Sequence, residues 1–544
     1  MQQVQVHPFQ HIHQTLLGKL TPNTVMPGII STLKRLNREW RKENSIFAYR
    51  YLADRSLTIF ERIFWLGLLI TTCIVCCLSV YCMYIKWCEN PVVIAYAPRL
   101  LPVSTIPFPA ITICPLIKSR VEAFNLSKVH DIVSKGAPLD NFRERQLRAL
   151  AHVCPCSSHW RNYSTVTDES IVKTLQNMSL HFDETLAMCF WRTKPTPCRK
   201  LFTETLVDDG ICYTFNELLP NETYRRNAIS RDFTSFVTAA RPSSWTLESG
   251  YDVHAGLKSF PHRALAHGFL SGLVVMPMVR KVDQEFLCMG PYTGYKFAVH
   301  APGEVPLTGD KFYRLSTLKS LTLTVTPRIA KTSKELRSVA PTRRRCYFND
   351  ERPLRFFRTY SANNCFLECI ANFTLAKCNC VKFSMPRTAD TKVCDASKIE
   401  CYFNIYQDMY QHKISNALAG RFENRCNCLP PCNSLEFDVE MSQFPFNFHQ
   451  MATAMRLPQY DSVDPAVMFV GLKMRHYLPM WRREMMGITD AIAKFGGIFA
   501  LLMGASMLTL AEFMYYYCVR PLRREKMRGG RVRNDRTMDA FHAE

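Results

Sequence analysis

The stretch FGGIFALLMGASMLTLAEFMYYYCV, residues 495–519, decides the fold because it is 25 residues long and carries one charged residue, Glu512. A helix of about 20 apolar residues crosses the roughly 30 Å hydrocarbon core of a bilayer, so the stretch predicts a transmembrane helix. A carboxylate in such a helix is costly in hydrocarbon and normally faces a bundle interior or a water path. The small residues Gly504, Ala505 and Ser506 allow close approach of backbones.

A second uncharged run of 23 residues, from Ile63 to Ile85, predicts another transmembrane helix. Basic residues crowd residues 34–62 before this run and residues 520–533 after the other. The positive-inside rule therefore puts both termini in the cytoplasm. We expect the following organisation: cytoplasmic segment 1–62, first span 63–87, extracellular domain 88–480, pre-pore segment and second span 481–519, and cytoplasmic basic tail 520–544.

Cysteine usage agrees with an extracellular loop, since 17 of the 23 cysteines lie between residues 114 and 432. Ten of them form a block over 346–432 whose CxC and Cx3C steps differ from the CxxC pairs of zinc sites. We therefore expect disulfides, with no metal and no cofactor. Five Asn-x-Ser/Thr sequons in the same region predict glycosylation at Asn125, Asn162, Asn177, Asn221 and Asn372.

The loop itself reads as a mixture of strands and helices. Alternating apolar and β-branched residues predict strands at 108–115, 294–306, 320–327 and 435–442, so both outer limbs of the loop are expected to be β-rich. Residues 119–200 carry helix-like apolar spacing, and the cysteine block predicts helices held as a stiff lever. The fold class expected is a membrane α+β protein.

Three other classes fit the sequence less well. The net charge of +22 is explained in part by the basic flanks of the spans, so nucleic-acid binding is not expected. The chain holds no HExxH, GxSxG or phosphate-loop motif, so we expect no enzyme. A two-span adhesion or receptor protein would have no reason to bury Glu512.

The motifs that carry a resemblance are FPAITIC after the first span, GICYTFN at 210–216, the ten-cysteine block, CNCLPPC at 426–432, and FGGIFALLMGAS followed by LTLAE. In this order they resemble the epithelial sodium channel and degenerin family. CVKFSMPR at 380–387, with GYKFAVHAPGEVP, is most similar to the arthropod pickpocket branch. ATP-gated channels share the two-span topology, but their phosphate-binding lysine motif is not recognisable here.

The resemblance implies a trimeric, amiloride-sensitive channel that prefers sodium and lets it pass down its gradient. The trimer would be a homo- or hetero-trimer with related subunits in the plasma membrane of sensory or epithelial cells. Its extracellular domain would gate the pore in response to force, pH, a peptide or a small molecule.

Similar channels break the second span at a Gly-x-Ser sequence that forms the selective ring, and Gly504, Ala505 and Ser506 match it. Glu512 would then add a ring of negative charge. Ala493 lies where relatives keep a small residue whose bulky replacements hold the pore open, and Lys494 stands where acid-sensing relatives are acidic. The alternative interpretation is that these small residues only pack one helix against another.

One departure from the family pattern precedes the first span. In ENSIFAYRYLADRS, residues 43–56, Phe47 and Ala48 stand where the family carries a His-Gly pair that affects opening. The resemblance therefore leaves two interpretations open: a channel that opens rarely alone, or a non-conducting, auxiliary subunit of a mixed trimer.

The family pattern also implies a nested set of disulfides. The implied pairs are Cys114–Cys212, Cys189–Cys198, Cys346–Cys432, Cys365–Cys428, Cys369–Cys426, Cys378–Cys401 and Cys380–Cys394. Cys154, Cys156 and Cys288 are left over, an odd number, so one of them pairs with Cys88 or keeps its thiol.

Overall fold

The computed structural model describes residues 40, 51–52, 56–154, 170–226, 241–419, 425–456 and 461–520. The chain divides into two compact units. The smaller one joins Met1–Val93 to Glu484–Glu544, and the larger one is Ile94–Arg483.

Twelve α-helices fall within the described residues. They are α1 Ile59–Glu89, α2 Leu126–Ser134, α3 Asn141–Ala151, α4 Ile171–Met178, α5 Phe182–Thr185, α6 Pro220–Thr223, α7 Pro341–Arg344, α8 Ala362–Cys378, α9 Ile399–Leu418, α10 Phe448–Ala454, α11 Ile488–Met503 and α12 Met507–Met514.

Eighteen strands fall within the same residues. They are β1 Val92–Tyr96, β2 Leu101–Pro102, β3 Ala110–Pro115, β4 Leu186–Trp191, β5 Lys194–Pro195, β6 Phe202–Val207, β7 Gly210–Phe215, β8 Trp245–Thr246, β9 Gly250–Tyr251, β10 Gly268–Arg280, β11 Tyr295–His300, β12 Tyr313–Leu315, β13 Lys319–Thr332, β14 Ser434–Pro445, β15 Val463–Pro465, β16 Val467–Leu472, β17 His476–Tyr477 and β18 Met480–Glu484.

A nine-stranded sheet is built around β13. Its order is β1-β18-β13-β16-β10-β4-β5, with β14 paired to β13 and β15 paired to β10. Strand β13 runs antiparallel to β14, from Lys319 opposite Pro445 to Ala330 opposite Ser434, and parallel to β16 and β18. Alternate β13 side chains are buried, as a pleated strand with one face on a core requires.

A five-stranded antiparallel sheet has the order β12-β11-β3-β7-β6. Every residue of β3 and β7 is buried, and Cys114 on β3 is bonded to Cys212 on β7. One continuous apolar core includes side chains of both sheets, such as Ile113 and Phe297 from this sheet and Leu273 and Leu323 from the larger one. A second core joins α2, α3 and α4 to β6, β7 and α8.

Eight disulfides lie within the described residues. Seven are the pairs that the family pattern implies: Cys114–Cys212, Cys189–Cys198, Cys346–Cys432, Cys365–Cys428, Cys369–Cys426, Cys378–Cys401 and Cys380–Cys394. The eighth joins Cys154 to Cys288, two of the three cysteines that the sequence left unassigned. Cys156 lies outside the described residues. Two bridges tie α8 to residues 426–428, and a third ties its end to α9.

Helix α1 is long and apolar enough to cross a membrane. It runs from Ile59 to Glu89, longer at both ends than the expected 63–87. Thr58 begins the helix: its N–H donates to Glu61 Oε2 at 2.8 Å, and Glu61 N–H donates to Thr58 Oγ1 at 3.4 Å. This reciprocal cap starts the helix in polar sequence ahead of the apolar run.

Two parts of the large unit differ from the sequence expectation. In the described part of residues 119–200, the α-helices end at Thr185, after which β4 and β5 join the nine-stranded sheet and a 3-10 helix follows at Cys198–Lys200. The sequence analysis also missed β10, 13 residues long and central in that sheet, because Gly272 and Pro277 interrupt its apolar pattern. The glycine is required there, since a Cβ at Gly272 would lie 1.9 Å from the Val470 carbonyl oxygen.

The predicted glycosylation sites lie in varied surroundings. Asn177, Asn221 and Asn372 are exposed, whereas Asn125 is half-buried and accepts the Lys128 N–H at 3.0 Å as the N-cap of α2. Asn162 lies outside the described residues.

Candidate pore segment

The apolar stretch near the C-terminus forms two helices instead of one. The first is α11, and the second is α12 with its π-helical continuation Tyr515–Val519. The helix pair is bent by 77° at the break between them. Together they are long and apolar enough for one broken membrane span. The break falls at residues 504–506, where the sequence analysis expected the selective ring.

Helix α11 ends because Gly504 adopts the left-handed conformation, with φ of 66° and ψ of 13°. Its N–H donates to the Ala500 carbonyl at 3.0 Å, and the next N–H, that of Ala505, donates to the Phe499 carbonyl at 3.3 Å. A residue with a Cβ pays a steric penalty in this conformation, so glycine suits the position.

Helix α12 begins because Ser506 caps it. Ser506 is extended, with φ of −122°, and its hydroxyl accepts the Thr509 N–H at 3.4 Å. In return, the Ser506 N–H donates to Thr509 Oγ1 at 3.1 Å. Thr509 was not among the residues predicted from the sequence, although a Ser followed three residues later by a side-chain acceptor is a capping pattern.

The break exposes backbone acceptors. In the part of the chain that the structure describes, the carbonyl groups of residues 501–505 accept no hydrogen bond. Helix ends always leave such carbonyls, but within a membrane they are tolerated only where they are buried in protein or line a water-filled cavity. Carbonyl oxygens that line a narrow path can replace the water around a small cation.

The other sequence-predicted pore residues lie on either side of the break. Ala493 and Lys494 are exposed on the second turn of α11, and Glu512 is half-buried on α12, six residues after Ser506. Phe47 and Ala48 lie outside the described residues. Ala493 and Lys494 therefore precede residues 504–506 on α11, and Glu512 follows them on α12.

An aromatic group at the end of α12 was not anticipated. The ring of Trp40 lies 6.0 Å from that of Phe513 and 5.9 Å from that of Tyr517, in edge-to-face geometry. Such aromatic residues are typical of the membrane–water interface. These contacts place Trp40, from the segment that precedes α1, beside the end of α12 and its π-helical continuation.

A chain of polar side chains, buried at His300, Thr112 and Thr214 and half-buried at Thr205 and Glu217, crosses the five-stranded sheet of the large unit. His300 Nε2 lies 2.9 Å from Thr112 Oγ1, which lies 2.9 Å from Thr214 Oγ1. Thr205 Oγ1 lies 2.9 Å from Thr214 Oγ1 and donates to Glu217 Oε2 at 2.6 Å. The chain links residues from β11, β3, β7 and β6, and it ends in a titratable group on each side.

Burial shifts both end groups toward their neutral forms. It lowers the pKa of His300 to about 4 and raises that of Glu217 to about 7, while hydrogen bonds from Thr205 and Thr203 lower the pKa of Glu217 in part. Glu217 therefore titrates near neutral pH inside a hydrogen-bonded network.

Comparisons with known proteins agree with the sequence motifs. A family model described as amiloride-sensitive sodium channel matches residues 41–516. Among similar proteins, Pickpocket protein 28 of Drosophila melanogaster is 27% identical over 507 residues, which cover 90% of this chain and 79% of the relative. Sodium channel protein Nach of the same species is 22% identical over 93% of this chain and 91% of its own length. The bile acid-sensitive ion channel of Rattus norvegicus is 23% identical over 89% and 87%, respectively.

Proposed function

The chain belongs to the amiloride-sensitive sodium channel family, and on that premise we propose that it is a subunit of a sodium-preferring, amiloride-sensitive cation channel gated through its extracellular domain. Members of the family are ion channels of the plasma membrane and not enzymes, and they generally form homomeric or heteromeric trimers. The disulfide-rich, β-rich part of the chain is the extracellular domain of this family.

The helix break at residues 504–506 carries the proposal. A segment that is apolar enough to span a membrane leaves five consecutive carbonyls without a hydrogen bond among the described residues. In hydrocarbon each unsatisfied group costs several kcal/mol, so the break needs water or a cation beside it. Three copies of Gly504, Ala505 and Ser506 around one axis would supply a narrow ring of oxygens, which suits a small cation such as sodium.

The remaining pore assignments follow from position along the two helices. Glu512 would form a second, negative ring on the cytoplasmic side of the break, because both termini are proposed to be cytoplasmic. Ala493 would be the gating position near the outer mouth, where Lys494 adds positive charge that reduces the attraction of cations.

The chain connections suit gating through the extracellular domain. Strand β1 begins at Val92, three residues after α1 ends, and β18 ends at Glu484, four residues before α11 begins. Both are members of the nine-stranded sheet. A stimulus that shifts this sheet would therefore act on the two apolar segments through short links, since packed interfaces pass on strain as discrete shifts.

A second candidate function is that of a non-conducting or auxiliary subunit in a mixed trimer. The observation that favours it is Phe47-Ala48 in place of the family's His-Gly pair. Alanine lacks the backbone freedom of glycine, so the pore of a homotrimer would open rarely. A two-span adhesion or receptor protein without a pore is less consistent with the unpaired carbonyls of residues 501–505.

The experiment that tests the proposal is voltage clamp on cells that express the Ala493→Val variant, in sodium and potassium baths, with and without amiloride. We expect a constitutive current that amiloride blocks and that sodium carries better than potassium. Ser506→Cys in the same background should make the current sensitive to thiol-binding metal ions or change the sodium to potassium ratio. An Ala493→Val current that is unaffected by Ser506→Cys in both respects would count against residues 504–506 as the filter.

The auxiliary alternative has its own test. If Ala493→Val gives no current despite surface protein, the added change of Phe47→His with Ala48→Gly should restore it. Current only after co-expression with a related subunit would favour the mixed trimer instead.

A further inference from the structure

Among the residues that the structure describes, those that line a shallow depression of about 550 Å³ on the large unit are all arginines. They are Arg225, Arg226, Arg355 and Arg358, and all four are exposed. They come from two segments far apart in the chain. No sequence motif pointed to them.

The backbone holds the two segments side by side. Tyr224 pairs with Phe357 in an antiparallel bridge. The Arg225 N–H donates to the Phe356 carbonyl at 2.9 Å, and the Arg358 N–H donates to the Thr223 carbonyl at 3.0 Å. An isolated antiparallel β-bridge therefore forms the platform under the arginines.

Aromatic side chains anchor this platform in the core. Phe357 is fully buried, Phe356 and Tyr224 are nearly so, and the rings of Tyr224 and Phe357 lie 5.2 Å apart. Phe356 and Phe357 lie between Arg355 and Arg358 in sequence, and Tyr224 directly precedes Arg225, so buried rings anchor the backbone that carries the exposed arginines.

Two guanidinium groups are oriented further by the backbone. Arg225 Nε donates to the Phe357 carbonyl at 3.0 Å, and Arg358 Nε donates to the Tyr224 carbonyl at 3.2 Å. Each bond uses one of the five N–H donors of a guanidinium and leaves the terminal donors available.

The four charges have no counter-ion among the described residues, since no carboxylate lies within 4 Å of any of them. The carboxylate of Glu368, a neighbour in the fold, instead accepts the backbone N–H groups of Arg355 and Phe356 at 3.0 and 2.9 Å. By contrast, Arg199 on the same unit makes two bonds of 2.7 and 2.8 Å to Asp183.

We propose that the four-arginine depression binds the sulfate groups of a sulfated polysaccharide outside the cell. Guanidinium groups bind tetrahedral oxyanions through paired N–H donors, and several in one place favour a ligand with several charges. The depression is shallow and open, which suits a chain that lies across the surface better than a small molecule that needs enclosure. The assignment uses only the extracellular position of the large unit and is independent of ion conduction.

The test measures binding of a heparin hexasaccharide to the purified full chain in lipid nanodiscs, at fixed ionic strength. The site variant is Arg226→Gln with Arg355→Gln, because neither side chain makes a hydrogen bond among the described residues and the fold should be unaffected. The control variant, Arg199→Gln with Arg337→Gln, removes the same charge from arginines that are paired with Asp183 and Asp350. A further probe is the same hexasaccharide without its sulfate groups.

We expect the site variant to weaken binding about tenfold or more, as loss of two charge-assisted contacts implies, and the control variant to weaken it less than about twofold. The desulfated probe should not bind measurably. An equal loss in both variants would show general attraction by a basic chain and overturn the proposal. So would an unchanged affinity in the site variant, or equally tight binding of the desulfated probe.

Discussion

At the scale of single residues, the candidate pore depends on two neighbours of a helix break that act in opposite directions. Gly504 ends one helix by adopting a left-handed conformation, and Ser506 starts the next by capping it. Between them, the backbone turns its carbonyls away from helical hydrogen bonds. A side chain larger than that of glycine at 504, or one without a hydroxyl at 506, would favour a continuous helix in which those carbonyls are paired.

Gly504→Ala tests this role directly. The left-handed conformation costs an alanine about 1–2 kcal/mol, so the broken arrangement should lose between fivefold and thirtyfold in population. In the Ala493→Val background we expect a lower current or a reduced sodium to potassium ratio under voltage clamp. Gly497→Ala is the control, because Gly497 lies inside α11 and a Cβ there would meet nothing within 4 Å. If both alanine variants behave like the parent, the conformation of Gly504 does not matter for permeation.

At the scale of elements, the five-stranded sheet combines a disulfide with a polar chain. Thr112 and Thr214 are completely buried, and their hydroxyls form hydrogen bonds with one another, with His300 and with Thr205. Buried polar groups with all partners in place favour one strand register, because a shifted register would leave them unpaired. The charge state of Glu217 bears on this chain through its hydrogen bonds with Thr203 and Thr205.

Stability should fall as pH rises past the range in which Glu217 keeps its proton. Burial raises the pKa of its carboxyl from an ordinary 4.5 to about 7, so between those values the folded chain holds a proton that the unfolded chain has released. The stability that this proton contributes to the folded chain is complete below pH 4.5, and it is lost by about pH 7. Glu217→Gln should flatten the dependence of the unfolding temperature on pH between 5 and 8, measured in detergent. Glu440→Gln, an exposed residue on β14, should leave the slope as it is.

The nested bridges of the cysteine block should act together. Cys365–Cys428 and Cys369–Cys426 join the same helix to the same short segment, one helical turn apart. When one is removed, the other still closes nearly the same loop of the unfolded chain. We expect replacement of either pair by serine to lower the free energy of unfolding by less than about 2 kcal/mol, and replacement of both by about 3–5 kcal/mol. Chemical denaturation of the parent and these three variants measures this; strictly additive losses would contradict shared loop closure.

At the scale of the whole molecule, the two units differ in how they keep apolar side chains away from water. Helix α1 leaves Ile63, Phe64 and Leu78 more than half exposed, so it needs lipid or neighbouring subunits around it. The large unit encloses its own apolar cores and is braced by all eight disulfides within the described residues. Its stability should therefore depend little on the membrane.

Residues 94–483, secreted from insect cells, should consequently fold without the spans. This fragment has 17 cysteines, and the eight bridges hold 16 of them. Alkylation without reduction, followed by mass spectrometry, should label a single cysteine, Cys156. Two or more labelled positions in the folded fragment would mean that one of the bridges does not form.

Much of this protein was determined by its sequence alone, because the relevant signals are local. The length of an apolar run decides whether a helix can span a membrane, and alternation of apolar residues predicted β3, β11, β13 and β14. Spacing of cysteines, read with the family pattern, implied seven pairs that the structure contains. The resemblance to the family likewise implied the break at Gly504 and Ser506.

Only the tertiary structure decided the features that join distant residues. The Cys154–Cys288 bridge spans 134 positions, and the hydrogen bond between Thr112 and His300 spans 188. Strand β10 became central because Gly272 admits the backbone of Val470, and the four-arginine depression exists because Tyr224 pairs with Phe357. Such contacts depend on which distant segments the fold brings together. They are stabilised by packing and hydrogen bonding between those segments, and the local sequence pattern of one segment does not reveal its partner.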